Sequence, residues 1–100
     1  MIAIIRIKVH RAEGCVVVAA CDSELAGTIA RQGKLKLDVC ESFYGTEDFE
    51  ECVLANFLGM CSSANLVGKR TVAAAVDAGY VDEDCVMSIG KIPHAQYYRM

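Results

Sequence analysis

The sequence has no long hydrophobic run. Its longest uninterrupted apolar stretch, residues 15–21, is far too short to cross a bilayer. A basic leader with a small-residue cleavage site is also missing, because an alternating strand pattern begins directly after Met1. Internal repeats, low-complexity segments and linkers are absent too. We therefore expect a single domain over residues 1–100 that works in the cytoplasm and has no membrane partner.

An excess of basic charge is absent as well. The formal net charge is −3, so overall charge excludes nonspecific attraction to nucleic acid. Contact with nucleic acid would require a local basic patch. Hydrophobic residues make up 54% of the chain, which excludes a disordered protein and favours a full core or an adhesive surface.

The chain has six cysteines but no C-x-x-C pair, so the ordinary zinc-ribbon signature is absent. Because nothing directs secretion, we expect reduced thiols rather than a disulfide framework. Most of them should be small buried hydrophobes. We predict no metal and no cofactor, and a metal site assembled from distant cysteines is the alternative.

Residues 62–80 have the pattern of one buried helix, which we expect to be the central element. Apolar residues recur on one side and small residues such as Ala75 on the other, which is typical of a core helix in close contact with another backbone. Ser62 or Ser63 would cap its start. Gly79 followed by Tyr80 predicts a Schellman cap at its end.

The remaining pattern predicts an α+β fold, with a mostly antiparallel four-stranded sheet and two main helices packed on one face. Asp22 should cap a short helical turn, and Thr46 should begin a helix that ends at Gly59. Residues 28–33 stay unassigned. Alternating or continuous apolar runs predict the four strands, and the first two should form a hairpin: residues 2–10, 15–21, 34–39 and 85–89.

Two segments contain chemistry-bearing residues. Residues 68–71 (GKRT) resemble the end of a phosphate-binding loop, but the first glycine of that motif is missing. Lys69 and Arg70 lie near a predicted helix start, where a bound phosphate would offset their unfavourable position. We favour the alternative that they form a solvated face.

The other segment is the tail, which holds the only proline, Pro93. Because proline fixes the backbone, it would present His94 and Gln96 in a defined place. A nucleophile pair of His94 with Cys61 or Cys85 is an alternative without a local signature. Another is a tail that packs back on the sheet with His94 hydrogen-bonded.

Four short motifs occur in the order found in a known family: KVHR at residues 8–11, SFYG at 42–45, ANLVG at 64–68 and IPHAQ at 92–96. Together they resemble DUF424, a family of small archaeal proteins of unknown function, over nearly the whole chain. The resemblance implies a stand-alone domain of the archaeal cytoplasm with no established activity and no catalytic residues to transfer. It also implies an association with translation.

Our leading hypothesis is a non-enzymatic binding module in translation or RNA metabolism. Its partner would be RNA or a protein of the translation apparatus. The rival hypothesis is an enzyme or small-ligand binder with a pocket formed by His94, Asn65 and a cysteine, and a homo-oligomer is a third. The predicted contact surface comprises Asn65, Lys69, Arg70, Pro93, His94 and Gln96.

Overall fold

The computed structural model describes residues 4–99, which form eight strands and three short α-helices. Three 3-10 turns, Ser23–Leu25, Glu51–Val53 and Glu83–Cys85, link them. The helices are α1 (Glu41–Tyr44), α2 (Leu54–Leu58) and α3 (Lys69–Asp77). The strands are β1 (Ile4–Ala12), β2 (Cys15–Asp22), β3 (Ile29–Gln32), β4 (Leu35–Asp38), β5 (Asp48–Glu50), β6 (Ser63–Val67), β7 (Met87–Ile89) and β8 (Ile92–Tyr98).

Six of the strands form one mixed sheet in the order β5-β1-β2-β6-β8-β7, and β3 and β4 form a separate hairpin. Neighbours in the large sheet are antiparallel except β2 and β6, which are parallel. The predicted α+β class is confirmed, but the four-stranded, mostly antiparallel sheet is wrong. The predicted hairpin of the first two strands is present as β1 and β2, and residues 2 and 3 of that prediction lie outside the described residues.

The strands that we did not predict in the large sheet lie where we expected a helix or the tail. Strand β6 occupies the first part of the predicted 62–80 helix, and β8 lies within the tail. Ala64 and Leu66 contact the core beneath the helices, whereas Val67 contacts the core on the other side of the sheet. A strand that is buried on both faces has no clean alternation, so its apolar positions also fit helical spacing.

The central helix is therefore shorter than predicted. Ser62 does not cap it, because its Oγ accepts a hydrogen bond from the Val16 N–H, 3.1 Å away. The predicted end is correct: the Gly79 N–H donates to the Val76 carbonyl and the Tyr80 N–H to the Ala75 carbonyl, both at 3.0 Å. Those two bonds define a Schellman cap.

The predicted helix from Thr46 to Gly59 is also wrong in its first half. Asp48–Glu50 forms strand β5 at one edge of the large sheet, followed by a 3-10 turn and α2. Phe49 pairs with Ile5 and packs into the core, while the acidic neighbours of Phe49 are exposed. A single inward residue between two outward acids matches the two-residue period of a strand.

A packed layer lies on each face of the large sheet. On one face α2 and α3 cover a core that includes Leu54, Leu58 and Leu66. On the other face the β3–β4 hairpin and α1 cover a smaller core that includes Leu37 and Tyr44. The predicted arrangement of two helices on one face is thus present, and the layer on the second face was not predicted.

The cysteines are more exposed than expected. All six are free thiols, but only Cys21 and Cys61 are buried, and the prediction that most are buried is wrong. Among residues 4–99, no group of three or more histidine, cysteine, aspartate or glutamate side chains could hold a metal ion. No helix in the same range is long and apolar enough to cross a membrane.

Candidate functional site

The second layer leaves part of its face of the large sheet uncovered. We call this part the open face and define it as Val17, Ser63, Asn65, Gln96 and Tyr98. The strand register places these residues in two neighbouring rows, since Ser63 pairs with both Val17 and Tyr98, and Asn65 pairs with Gln96. Gln96 and Tyr98 are exposed, and the other three are partly buried.

Hydrogen bonds link the polar side chains of the open face. The Gln96 amide donates from Nε2 to Asn65 Oδ1 over 3.1 Å, and the Tyr98 hydroxyl donates to Gln96 Oε1 over 3.2 Å. Tyr98 is nevertheless 64% exposed. The result is an accessible aromatic ring held beside two amides in a fixed array.

Two histidines lie at the margins of the open face. The His10 ring stacks on Phe43 with centroids 4.8 Å apart, and its Nε2 donates to the Phe43 carbonyl over 2.8 Å. His94 pairs with Val67 and is partly buried. Burial lowers the pKa of His94 below its usual value, so its imidazole is neutral at pH 7.

The rows that cross the open face contain no carboxylate. Strand pairing assigns Lys8, Ala19, Asn65 and Gln96 to one row and His10, Val17, Ser63 and Tyr98 to the other. Lys8 contributes a basic side chain to the first of these rows. Its Nζ donates to the Ser42 carbonyl over 2.9 Å.

The start of α3, where we considered a phosphate, already binds an anion of the chain itself. The Asp22 carboxylate accepts hydrogen bonds from the Arg70 N–H at 3.2 Å, the Thr71 N–H at 2.9 Å and the Thr71 hydroxyl at 2.8 Å. Asp22 thus caps α3, and its side chain makes no cap to the turn that follows it, contrary to our prediction. A carboxylate at a helix start is favoured by the helix dipole.

Arg70 is occupied by other groups of the protein. Its guanidinium donates to both carboxylate oxygens of Glu24, at 2.7 and 2.5 Å, and to the Ile4 carbonyl at 2.9 Å. The hydrogen bond from Arg70 lowers the pKa of Glu24 to about 2, and the same bond raises the pKa of Arg70. Arg70 therefore stabilises the join between α3 and the first strands.

Lys69 and Pro93 lie at a different place from the open face. Both line a cavity of about 450 Å³ between α3 and the segment around β7 and β8. The structure thus divides the predicted contact surface between two places. It brings Asn65 and Gln96 together with His94 nearby. Lys69, Arg70 and Pro93 line a smaller cavity of about 260 Å³ at the start of α3, where Arg70 pairs with Glu24.

The cysteines proposed for a rival active site show no pairing with His94. Cys61 belongs to the core on the opposite face of the sheet, and Cys85 is exposed at the end of the 3-10 turn Glu83–Cys85. Cys21 lies in the same row as His94 but two strands away, and burial raises the pKa of its thiol to about 12. A thiol with so high a pKa is a poor nucleophile at neutral pH. Among the described residues no hydrogen bond joins His94 to a cysteine.

Residues 10–100 match the family described as "Protein of unknown function (DUF424)". The chain belongs to the DUF424 family. The family resemblance inferred from the four motifs is thereby confirmed. Two of those motifs contribute residues to the open face, namely Asn65 in β6 and Gln96 in β8.

The DUF424 chain is also similar to a solved structure, described as the crystal structure of an uncharacterized conserved protein from Methanopyrus kandleri. The two share 26% sequence identity with a TM-score of 0.81, over 96% of this chain and 91% of that one. This similarity supports the mixed α+β fold. No curated protein matches the chain.

Sequence reasoning missed three residues of the open face: Val17, Ser63 and Tyr98. We interpreted Ser63 as a helix cap, and the buried run of β2 concealed Val17. Tyr98 is largely exposed, whereas its neighbour Tyr97 is partly buried. The available signal was the period-2 pattern of residues 92–98, where His94, Gln96 and Tyr98 alternate with Ala95 and Tyr97.

Proposed function

We propose that this DUF424 protein is a single-domain, cytoplasmic binding module of RNA metabolism that holds single-stranded RNA on the open face. One observation carries the proposal: the exposed Tyr98 ring lies beside the linked amides of Asn65 and Gln96 on a sheet surface without carboxylates. Archaeal origin and a role in translation are predictions that accompany it.

The chemistry of the open face suits unpaired bases. An exposed tyrosine ring on a flat sheet provides a surface on which a base can stack. Amide side chains offer both donors and acceptors, which are the groups that base edges require. Gln96 Nε2 donates to Asn65 Oδ1, and Gln96 Oε1 accepts from Tyr98. The Asn65 amide nitrogen and the second hydrogen of Gln96 Nε2 can donate to a ligand.

The net charge of −3 is compatible with this proposal because no strand residue in the two rows of the open face is acidic, and Glu41 and Glu47 lie beside Lys8 at one end of a row. Acids of the second layer and of β5 are paired in part with Arg6, through Glu41 and Asp48 at 3.3 Å. Since screening limits each exposed charge to about 8 Å at physiological ionic strength, the local surface decides whether a phosphate chain is repelled.

Binding of a fluorescein-labelled oligouridylate, measured by anisotropy at low salt, tests the proposal. Tyr98→Ala should weaken binding roughly tenfold or more, because stacking of a base on an aromatic ring is worth about 1–3 kcal/mol. Gln96→Ala should weaken it less. Matched controls are Met60→Ala and Asn56→Ala, two exposed positions at α2 on the other side of the sheet, which should bind like the wild type.

Unfolding midpoints in urea must be unchanged in the open-face variants, since both side chains are exposed. The proposal is wrong if the wild type does not bind the RNA, or if Tyr98→Ala and Met60→Ala bind equally. Self-association of the wild type through Tyr98, detected by sedimentation, would assign the open face to a homo-oligomer instead.

A further inference from the structure

Four basic side chains lie at one corner of the molecule, on two hairpins. We call them the basic corner: Arg31, Lys34, Lys36 and Lys91. Arg31, Lys34 and Lys36 belong to the β3–β4 hairpin, and Lys91 lies in the turn between β7 and β8. All four are exposed. They are four of the ten lysine and arginine residues in a chain of net charge −3.

Direct contacts pack the two hairpins together. The Gly90 N–H donates to Gln32 Oε1 over 3.0 Å. A Cβ added at Gly90 would lie 2.9 Å from the Arg31 carbonyl oxygen, so only glycine permits this approach. Because Gly90 precedes Lys91 and touches Arg31, the charges of the two hairpins belong to one surface.

Pairing within the hairpin places like charges opposite each other. Arg31 is the direct cross-strand partner of Lys36, and like charges in that position are destabilising. Among residues 4–99, no member of the basic corner takes part in an ion pair, whereas Arg6 and Arg70 do. Asp38, exposed two residues from Lys36 on the same face of the hairpin, forms no ion pair with the basic corner among these residues either. The repulsion among the basic residues would be relieved further by an anion with more than one charge.

We infer that the basic corner binds the phosphodiester backbone of the RNA strand whose bases contact the open face. This inference rests on the proposed function. The β3–β4 hairpin packs on the same face of the large sheet as the open face, so one strand can reach both. Lys91 and Gln96 are five positions apart along an extended chain, which is about 17 Å.

The β7–β8 turn offers a variant that removes charge without harming the fold. Gly90 and Lys91 have φ angles of +56° and +70°. Two successive positive φ values define a turn in which asparagine or glycine is preferred at the second position and lysine is not. Lys91→Asn should therefore fold at least as well as the wild type while lacking one positive charge.

The test is the salt dependence of oligouridylate binding by the full chain. Each lost phosphate contact should reduce the slope of log affinity against log salt concentration by about 0.7. We expect this reduction for Lys91→Asn and a larger one for the Arg31→Gln, Lys36→Gln double variant, with several-fold weaker binding at low salt. Arg11→Gln is the control. It removes one exposed charge from the helix side of the sheet, where its partner Val16 packs, and should leave the slope unchanged.

The outcomes separate this inference from the proposed function. A wild-type slope in Lys91→Asn and in the double variant would overturn the inference, even if Tyr98→Ala loses affinity. A reduced slope in these variants, together with normal binding by Tyr98→Ala, would overturn the proposed function and leave the basic corner as the binding site. Absence of RNA binding by the wild type would overturn both, and retention on anionic vesicles in that case would assign the corner to lipid headgroups.

Discussion

At the scale of single residues, Asp22 and Gly68 depend on each other. Asp22 is 3% exposed and caps α3 from the end of β2. A Cβ on Gly68 would lie 2.4 Å from the Asp22 carboxyl carbon, and the φ of Gly68 is +104°. Only glycine at this position leaves room for the Asp22 carboxylate at the start of α3. In a loop that binds phosphate, the helix start would instead be left free for the phosphate.

Replacing Asp22 tests the cap. Asp22→Asn keeps the size, replaces one acceptor oxygen by an NH2 donor and removes the charge, so we expect a loss of about 2 kcal/mol of unfolding free energy. Urea unfolding measures it. Asp77→Asn is the control, because Asp77 is exposed at the unfavourable end of the same helix and its loss should be neutral or slightly stabilising. Equal midpoints for Asp22→Asn and wild type would show that the cap contributes nothing.

His94 predicts a pH dependence of stability. Burial lowers its pKa in the folded state below the value of 6.5 expected in the unfolded chain. Between these two values the unfolded state binds more protons, so stability decreases as the pH falls below about 6.5 and is unaffected by His94 above it.

Urea unfolding of the wild type and of His94→Gln at pH 7.5 and pH 5.5 measures this effect. The wild type should lose more stability than the variant over this interval, by at most about 1.4 kcal/mol, since one proton contributes no more than about 1.4 kcal/mol per pH unit. Parallel losses in the two proteins would show that His94 titrates normally in the fold.

At the scale of elements, α3 is the part of the predicted helix that survives in the structure. Its nine residues bury Thr71, Val72 and Ala75 against the large sheet and α2. Hydrophobic pattern and a glycine stop signal predicted this part because both are local. We did not predict β6, the strand that precedes α3, because its conformation depends on pairing with β2 and β8.

The packing of α3 predicts intolerance of bulk at one position. Ala75 is fully buried, so Ala75→Leu should overpack the contact and cost about 1–3 kcal/mol in unfolding free energy. Ala73→Leu is the matched control, because Ala73 is exposed on the same helix and leucine is a good helix former. Chemical denaturation compares the two. A normal midpoint for Ala75→Leu would mean that the core under α3 has room for three more carbons.

At the scale of the whole molecule, the positions of the charged residues matter more for ligand binding than the net charge. A net charge of −3 argued against nucleic acid as a partner. The fold places four basic residues at one corner and keeps carboxylates out of the two rows of the open face. Lys34 and Lys36 become part of this corner because their hairpin contacts the β7–β8 turn.

The sequence by itself determined what depends on neighbours along the chain. Alternation predicted β1, β4 and the first hairpin, and the Gly79–Tyr80 pair predicted the end of α3. Four short motifs in order were sufficient to predict the family, since a family is recognised from the sequence alone. Asn65, His94 and Gln96 were chosen from those motifs without knowledge of the sheet.

Only the tertiary structure decided which residues share a surface. Hydrogen bonds between distant strands place Asn65 beside Gln96 and convert the tail into a sheet strand, and no local pattern specifies the partner of a strand. Arg70 was indistinguishable from Lys69 in the sequence, yet its ion pair with Glu24 depends on two segments 46 residues apart. Long-range pairing and burial, which couple residues far apart in the chain, therefore determine the site.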